Sequence, residues 1–409
     1  MVGASRRARI AIVVPSLPHE GGVATVTEFV CDTLERSGRF DFTLVSLPSS
    51  ARDPLGVALA RPSTWFRGVR TEHGVWRGRP CVSVGAVGCE LEFQRYRPRP
   101  ALAQALAGCD LFQVVTGLPA PGYAVCGLGK PVAVYCATRA TMERRARHAA
   151  YRSAGETWRR AMTRIIDRID RKVLERADAI QSMNPWMLEY ARGVNAGRDI
   201  PIRLVQPGVD ISQFTPLAGA DRLSQPYVLC VGRFNDPRKD VGLLLEAYAA
   251  LAARVTTPVR LMLAGFFGPD AGFWRDVDRL GLRDRVTFVD SPGRDALIAL
   301  YRRATVFALS SDEEGFGMVV LEAMACGIPV VSTASGGPDS IIRDGVDGFL
   351  VPRGAAAPLA DRLERLVLDL ELNHRIGTAA REAVVARFDA SHAGQGLLET
   401  YDRLLSGVT

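Results

Sequence analysis

The feature that most constrains this chain is the alternation of short apolar runs with longer helical patterns along nearly its whole length. Continuous apolar runs bounded by turn residues indicate parallel strands that are buried on both faces by helices. The runs predicted to be strands are 9–14, 41–47, 81–84, 111–115, 131–136, 178–182, 227–231, 260–264, 286–289, 305–309, 329–332 and 348–351. We therefore predict an α/β protein with two Rossmann-like, doubly wound domains that face each other across a cleft.

A stretch rich in proline and glycine, 206–226, has the composition of an interdomain connection. The predicted domains are accordingly 1–205 and 206–389, and the length of 409 residues is ample for two full cores. An amphipathic helix within 390–409 is expected to pack back on the first domain. The apolar stretch 10–14 is too short for the apolar region of a signal peptide, so we expect a cytoplasmic protein.

Charge is unevenly distributed along the chain. Residues 1–205 carry 30 Lys/Arg and 18 Asp/Glu (+12), and residues 206–409 carry 21 and 26 (−5), which together give the net charge of +7. Much of the excess lies in 139–176, with 12 basic and 5 acidic residues. Such a stretch indicates either a solvated arginine-rich helix face or contact with an anionic acceptor or a membrane surface. Nucleic acid is not expected as a partner, because no recognisable nucleic-acid module occurs.

Cysteine usage gives no metal-binding or disulfide pattern. The eight cysteines are scattered without a C-x-x-C pair, so we expect reduced and mostly buried thiols. The lone D-x-D, Asp276–Asp278, lies in a polar helical stretch and is predicted to be a surface feature rather than a metal site.

Two loops that follow predicted first strands carry groups suited to an anion. Gly21 and Gly22 precede a helix predicted over 24–36, where backbone N–H groups and the helix dipole favour negative charge. A plain turn would explain these glycines as well, and no G-x-G-x-x-G fingerprint occurs. In the second half, Arg233 and Lys239 lie across a turn, where they could converge on a diphosphate or be separately solvated.

The loop after the predicted strand 305–309 is the most informative part of the chain. A Gly-rich turn is followed by a helix that begins near Met318, and Glu322 lies in this helix among apolar residues. A helix that is apolar on nearly every side is buried, so the carboxylate must be paired or hydrogen-bonded. An internal arginine or the hydroxyl pair of a ligand would satisfy it. The amides around 316–319 form a second polar cradle.

These residues resemble the retaining glycosyltransferases of family 4, which have the GT-B fold. Glu314 and Glu322 resemble the E-x7-E motif of that family, within a near-characteristic run that reads E-G-F-G-M-V-V-L-E-A-M-A-C-G-I-P-V-V. Further matches are a V-G-R element at 231–233 followed by Lys239, a glycine loop at 21–23, an interdomain segment at 206–210 and a D-G-V-D-G-F-L-V-P run at 344–352. The likeness is strong over most of 205–390, and in the N-terminal half it rests on element order and the glycine loop.

The resemblance implies a role for each matched residue. Arg233 and Lys239 would neutralise the donor diphosphate as it leaves, Glu322 would bind the ribose hydroxyls, and Glu314 would hold the donor sugar. The residues expected to be catalytic are Glu314, Arg233 and Lys239. The residues expected to bind the donor are Gly21, Gly22, Arg233, Lys239, Glu314, Gly315, Phe316, Gly317, Met318, Val319 and Glu322.

The resemblance also implies the type of reaction. We expect a retaining, metal-independent hexosyl transfer in which the leaving phosphate takes the proton of the acceptor. The expected donor is a UDP- or GDP-sugar, with no cofactor, and the acceptor is a small or lipid-linked molecule bound by domain 1–205. The base, the sugar, the acceptor and the oligomeric state are not readable from the sequence.

One departure from the family concerns the acceptor side. Family members usually carry a histidine at the end of a central N-domain strand, where this chain reads D-L-F-Q-V-V-T-G at 110–117. His19, in the glycine loop, and Thr116 are the remaining candidates for contact with the sugar or acceptor. An intrinsically nucleophilic acceptor such as a thiol would depend less on the missing histidine. The alternatives are a catalytically silent GT-B partner subunit and a GT-B nucleotide-sugar epimerase or hydrolase.

Overall fold

The computed structural model describes residues 6–17, 21–48, 50, 52–145, 154–217 and 226–406. The chain divides into two compact units. The first comprises Met1–Pro207 with Gly394–Thr409, and the second comprises Gly208–Ala393. The chain thus enters the second unit at Gly208 and leaves it after Ala393.

The described part of the first unit is built on an eight-stranded sheet that is parallel except at one edge. Its strands are β1 (Arg9–Val14), β2 (Asp41–Ser46), β3 (Thr71–Trp76), β4 (Arg79–Val84), β5 (Leu111–Val115), β6 (Val132–Cys136), β7 (Ala179–Ser182) and β8 (Ile202–Leu204). They are ordered β3-β4-β2-β1-β5-β6-β7-β8, with β3 antiparallel to β4. The order of strands therefore reverses between β1 and β5, and the carboxyl ends of these two strands form a topological switch point.

The described part of the second unit has a six-stranded, wholly parallel sheet. Its strands are β9 (Tyr227–Val231), β10 (Arg260–Gly265), β11 (Val286–Asp290), β12 (Val306–Leu309), β13 (Val330–Thr333) and β14 (Phe349–Val351). They are ordered β11-β10-β9-β12-β13-β14, so the switch point of this sheet lies between β9 and β12.

Helices connect the strands in both units. They are α1 (Gly22–Ser37), α2 (Glu92–Arg95), α3 (Pro100–Ala105), α4 (Ala140–Glu143), α5 (Ala154–Arg176), α6 (Pro185–Val194), α7 (Val241–Arg254), α8 (Ala271–Arg279), α9 (Arg294–Arg303), α10 (Met318–Ala325), α11 (Ala356–Leu368), α12 (Leu370–Arg387), α13 (Ala390–Ala393) and α14 (Gln395–Ser406). Short 3-10 helices occur at Pro62–Arg67, Ala120–Ala124, Pro237–Lys239 and Pro338–Ser340. The last helix, α14, packs against α1, β5 and β7 of the first unit, where Leu397 and Tyr401 are fully buried.

Each predicted strand is present. The pattern was informative because the strands of a parallel sheet that is covered on both faces are continuous apolar runs. The five residues of β5 and of β9, for example, are all buried. Two edge strands were not predicted from the sequence. β3 is exposed along most of its length and lacks an apolar run, and β8 is only three residues long. The predicted class, two parallel α/β domains, is confirmed.

Three smaller expectations concern the cysteines, the D-x-D and the membrane. All eight cysteines are free thiols, and all except the half-buried Cys81 are buried. Asp276 and Asp278 lie exposed on α8, where Asp276 pairs with Arg279 at 3.0 Å. In the described ranges, no helix is long and apolar enough to cross a membrane, and no cluster of side chains has the composition of a metal site.

Candidate active site

The two charged loops of the second unit meet at its switch point, because β9 and β12 are neighbours in the sheet. The loop after β9 runs over 232–240, and the loop after β12 runs over 310–317. Backbone contacts join them: the amide of Asp312 donates to the Arg238 carbonyl at 2.8 Å, and the Ser310 hydroxyl donates to the Lys239 carbonyl at 2.8 Å. The sequence thus brings together two segments that are about 75 residues apart, as the doubly wound order dictates.

Two ion pairs span these loops side by side. Lys239 Nζ lies 2.5 Å from Glu314 Oε2, and both side chains are more than four-fifths buried. The neighbouring Arg238 donates to Glu313 at 2.9 Å and to Asp236 at 2.7 Å. In a largely buried pair few water molecules compete for the charged atoms, so its members hold each other in a fixed position.

Arg233 differs from the other two cations of the loop. Its side chain is 50% exposed, and its contact with Asp236 is long, at 3.5 Å. The backbone beneath it is fixed, because the Gly232 amide donates to the Ala264 carbonyl at 3.0 Å. Arg233 therefore combines a fixed base with a guanidinium that still faces water, which suits a group that binds an incoming anion.

The turn that carries Glu314 is fixed by the loop that follows β13. The Glu314 amide donates to the Ser335 carbonyl at 3.0 Å, and the Gly337 amide donates to the Glu314 carbonyl at 2.8 Å. Gly337 is required here, because a Cβ at this position would lie 2.3 Å from the Phe316 carbonyl oxygen. The position of the Glu314 carboxylate is thus set by backbone contacts on both sides.

The four residues after Glu314 offer backbone groups rather than side chains. Phe316 and Met318 are buried, and the Phe316 ring packs edge-on against Phe388. Gly317, with a φ of 104°, turns the chain into α10, and no described side chain caps this helix. The first amides of a helix have no intrahelical acceptor. Gly315–Met318 and the half-buried Val319 therefore surround a helix start that can accept an anion or a hydroxyl oxygen.

Glu322 lies one turn further along α10 and is 8% exposed. Its Oε2 accepts a hydrogen bond from the hydroxyl of Tyr301, on α9, at 2.7 Å. Burial, together with the neighbouring Glu322, raises the pKa of Tyr301 well above its usual value, so the phenol stays protonated and donates. An arginine or a ligand was the expected partner of this carboxylate; in the structure a tyrosine holds it.

The first unit presents backbone groups at the equivalent position of its sheet. Gly21 caps α1 with φ 123° and ψ 170°, a conformation that only glycine adopts readily, and no described side chain caps the helix. Gly22 is the first helical residue. The start of α1 follows β1, whose neighbour at the switch point is β5, which leads to Thr116. His19 lies outside the described residues.

Gln113 lies in strand β5, and Thr116 directly follows it. Thr116 is 2% exposed, and its hydroxyl donates to the Leu118 carbonyl at 2.8 Å, within its own loop. Gln113 is fully buried, and its amide nitrogen donates to the Val114 carbonyl at 3.1 Å. Neither side chain is presented at the surface in the way that the family's histidine would have to be.

A buried carboxylate, Asp170 of α5, organises the loops at this edge. It accepts from the amides of Ala120, at 2.7 Å, and Ala140, at 2.8 Å, which start the segments after β5 and β6. Burial raises the pKa of Asp170 well above its usual value, against the effect of the two amide bonds. The roles of Asp170, Tyr301 and Arg238 were not predicted from the sequence. Of these three residues, only Asp170 could have been identified from the sequence, because it is an acidic residue on the apolar face of an amphipathic helix.

The segment that carries these charged loops is shared with known proteins. The profile described as "Glycosyl transferases group 1" matches residues 219–383, which contain Arg233, Lys239, Glu314 and Glu322. Residues 219–383 thus match the glycosyl transferases group 1 family, in agreement with the resemblance seen in the E-x7-E and V-G-R motifs.

Relatives and solved structures extend the comparison. The D-inositol 3-phosphate glycosyltransferase of Mycolicibacterium smegmatis is 37% identical over 219 residues, which cover 50% of this chain and 48% of the relative. The chain thus spans about half the length of the curated relatives it matches. Sucrose-phosphate synthase of Thermosynechococcus elongatus, at 22% identity, superposes with a TM-score of 0.72 over 98% of this chain and 100% of that one.

Another solved structure with this fold is Anabaena HepE in complex with UDP-glucose. It is 18% identical, with a TM-score of 0.70 over 97% of this chain and 99% of that one. At these identities the two structures establish the fold, which is that of the GT-B glycosyltransferases. The fold class predicted from the sequence is therefore confirmed.

Proposed function

We propose that the protein is a retaining glycosyltransferase that moves a sugar from a nucleoside diphosphate sugar to an acceptor bound by the first unit. The observation that carries the proposal is the pairing of Lys239 with Glu314 at the switch point of the second sheet, with the exposed Arg233 in the same loop as Lys239, inside the segment matched by the family. HepE, which has the same fold, was solved in complex with UDP-glucose, and this supports a nucleotide-sugar donor.

The charges of the site suit departure of a diphosphate. As the bond between the anomeric carbon and the phosphate oxygen breaks, negative charge develops on the phosphate and positive charge on the sugar ring. Arg233 and Lys239 would stabilise the phosphate, and Glu314 would orient the sugar beside it. Glu322, held by Tyr301, would accept hydrogen bonds from the ribose hydroxyls.

The transfer needs no reagent other than the donor and the acceptor. A new bond forms between the anomeric carbon and the acceptor atom, on the face that the phosphate leaves. The proton of the acceptor passes to the departing phosphate oxygen, so the products are a glycoside and a protonated nucleoside diphosphate. This route needs no metal ion, and the prediction of metal independence is checked by assaying transfer in the presence of EDTA.

The ion pair between Lys239 and Glu314 implies a change on donor binding. While Glu314 lies 2.5 Å from Lys239, the charge of the lysine is already balanced and is not fully available to a phosphate. On donor binding, phosphate oxygens would therefore replace Glu314 as the partner of Lys239. Glu314 would then be released toward the sugar. The same replacement therefore acts differently on binding and on turnover: Glu314→Gln frees Lys239 for the diphosphate but removes the group that orients the sugar.

The test compares Glu314→Gln with wild type, using Glu371→Gln, an exposed carboxylate of α12, as the matched control. UDP- and GDP-sugars are screened for transfer to hydroxyl and thiol acceptors, and product stereochemistry is read by NMR. We expect Glu314→Gln to lower kcat by about 10²-fold or more while leaving the affinity for the nucleoside diphosphate unchanged or higher. Unchanged turnover in a folded Glu314→Gln variant would contradict the proposal and favour the silent partner subunit.

The acceptor class is the part of the proposal that depends on the first unit. Because Gln113 and Thr116 are turned inward, we propose an acceptor that needs little help from a side-chain base, such as a thiol. Equal or faster turnover of a hydroxyl acceptor in the screen would exclude the thiol preference but not the glycosyltransferase assignment.

A further inference from the structure

The segment 59–70 of the first unit, which we name the aromatic loop, exposes large apolar side chains in an unusual concentration. Phe66 is 95% exposed, Trp65 is 55% exposed and Leu59 is 50% exposed. Single exposed apolar residues are common on soluble proteins, but three within eight positions form a patch. The loop includes the 3-10 helix Pro62–Arg67, which contains both aromatic residues.

The patch is built by specific hydrogen bonds. The Trp65 indole N–H donates to the Ala58 carbonyl at 2.9 Å, which fixes the ring while leaving more than half of it in water. Thr64 accepts from the Ala58 amide at 3.0 Å and donates to the Arg61 carbonyl at 2.7 Å. The aromatic side chains are thus presented by an ordered loop.

The charge of the aromatic loop has one sign. Arg61, Arg67 and Arg70 are exposed, and the segment contains no Asp or Glu. Among neighbouring acids, Glu90 faces Arg61 and accepts from the Ala60 amide at 3.1 Å, and Glu72 follows in β3. The loop thus combines an apolar centre with a cationic border.

The aromatic loop lies at the carboxyl edge of the first sheet. Arg70 immediately precedes β3, whose first residue pairs with Val84 at the end of β4, and the Gly85 amide donates to the Arg70 carbonyl at 2.9 Å. This is the edge at which β1 ends before Gly21. The aromatic loop therefore borders the same edge as the candidate site residues of the first unit.

A second exposed aromatic residue of the same kind lies on α5, beyond this edge. Helix α5 leads directly into β7, which is parallel to β6, so α5 runs antiparallel to the strands; its Asp170 contacts the loops at their carboxyl ends, and the start of the helix extends about three turns beyond them. Near its start Trp158 is 59% exposed, beside Arg159 and Arg160, with one carboxylate, Glu156, pairing with Arg160 at 2.9 Å. Aromatic and basic side chains are thus combined at two places on the side of the first unit to which the carboxyl ends of its strands point.

We propose that this edge of the first unit, centred on Phe66, Trp65 and Arg67, docks on an anionic lipid bilayer. Aromatic rings enter the boundary between headgroups and acyl chains, and arginines pair with lipid phosphates. A soluble polyanion would require the arginines but not Phe66. A protein partner would be bound by the apolar patch but would have no need for a border of one charge. The combination fits an anionic bilayer best.

The test is flotation of the full chain with phosphatidylcholine vesicles, prepared with and without phosphatidylglycerol. The assay contains no nucleotide sugar and no acceptor, so its result is independent of the proposed function. We expect binding only to the anionic vesicles and its loss at high salt, because the cationic border acts through screened charges.

Variants identify the docking residues. Phe66→Ser should weaken vesicle binding by about tenfold or more, since a large apolar group no longer enters the bilayer. Its matched control is Phe267→Ser, a 64% exposed phenylalanine of the second unit, which should bind like wild type. Arg67→Gln should cost about fivefold, against no change for the exposed Arg260→Gln.

Three results would overturn the proposal. Absence of binding to anionic vesicles would do so, as would equal effects of Phe66→Ser and Phe267→Ser. Self-association that Phe66→Ser abolishes, measured by sedimentation velocity without lipid, would assign the patch to contact between copies of the chain instead.

Discussion

The two sheets of the protein have equivalent switch points, but the chemical groups at the two points differ. In the second unit the switch point between β9 and β12 carries charged side chains, of which Lys239 and Glu314 are paired at 2.5 Å. In the first unit the switch point between β1 and β5 carries backbone groups at Gly21 and Gly22 and side chains that are turned inward. The difference is one of chemical groups: charged side chains in the second unit, and backbone groups at a helix start in the first.

This division predicts where substitutions should act. Changes in the second unit should alter nucleotide affinity and turnover directly. Changes in the first unit should act through backbone conformation and through stability.

Removal of the lysine should have the largest effect. Lys239→Ala should lower kcat/KM for the nucleotide sugar by about 10²-fold or more, because a cation within a partly buried site is lost from the leaving diphosphate. Lys172→Ala, an exposed lysine of α5, is the matched control and should leave kinetics unchanged. Equal kinetics for the two variants would remove Lys239 from the site.

The glycine loop tests the first unit. Gly21→Ala places a side chain at φ 123°, where L residues are strained, and should weaken donor binding by roughly tenfold through displacement of the start of α1. Gly22 has an ordinary φ, and no atom of the described residues lies within 4 Å of an added Cβ, so Gly22→Ala should be nearly silent. Similar losses of affinity in both variants would indicate that crowding by a ligand, rather than backbone conformation, governs this loop.

Tyr301 tests whether the second unit depends on an internal partner for Glu322. Tyr301→Phe removes the hydroxyl that donates at 2.7 Å and should weaken nucleoside diphosphate binding by about fivefold, since one hydrogen bond to a charged group contributes about 1 kcal/mol or more. The effect should appear in the Kd measured by calorimetry, with kcat at saturating donor nearly unchanged. A fall in kcat alone would place Tyr301 in a different role.

The pH dependence of the free energy of unfolding gives a further and weaker test, which concerns an ion pair of the first unit. A hydrogen bond from Arg79 lowers the pKa of Glu35 on α1 below 4.5, so this pair stabilises the fold above that pH and is lost as the pH falls through the lower, folded value. Glu35→Gln should therefore destabilise the protein by under ~1 kcal/mol at pH 6, because the pair is exposed. Urea unfolding should show this difference narrowing below about pH 4.5. A difference that is constant with pH would exclude the ion pair as its cause.

Much of the fold was readable from the sequence, because buried parallel strands require continuous apolar runs such as those of β5 and β9. The proximity of Glu314 and Glu322 was readable because both lie in a local motif on one turn and the helix that follows it. β3 was not readable, because an exposed edge strand needs no apolar run. The link from Glu322 to Tyr301 was not readable either, since the contact joins two helices and depends on packing rather than on spacing.

The side-chain contacts of the first unit were the part of the structure that the sequence predicted least well. The sequence showed that a histidine was missing near Gln113, but not that Gln113 and Thr116 would be engaged within their own strand and loop. The aromatic loop gave no sequence signal, because exposure of Trp65 and Phe66 depends on how the segment before β3 is held. Such features follow from tertiary contacts, which composition and periodicity do not encode.

The most direct test of the donor site is thermal unfolding of the wild-type protein with UDP, GDP, dTDP, ADP and CDP, each with magnesium and with EDTA. A nucleotide at about 100 times its Kd should add roughly 2.7 kcal/mol of stability, which is a readily measured shift in Tm. We predict a strong shift from one nucleotide, most plainly UDP or GDP, that persists in EDTA and is lost in Lys239→Ala. No shift from any nucleotide, or an undiminished shift in Lys239→Ala, would contradict the assignment of the switch point of the second unit as the donor site.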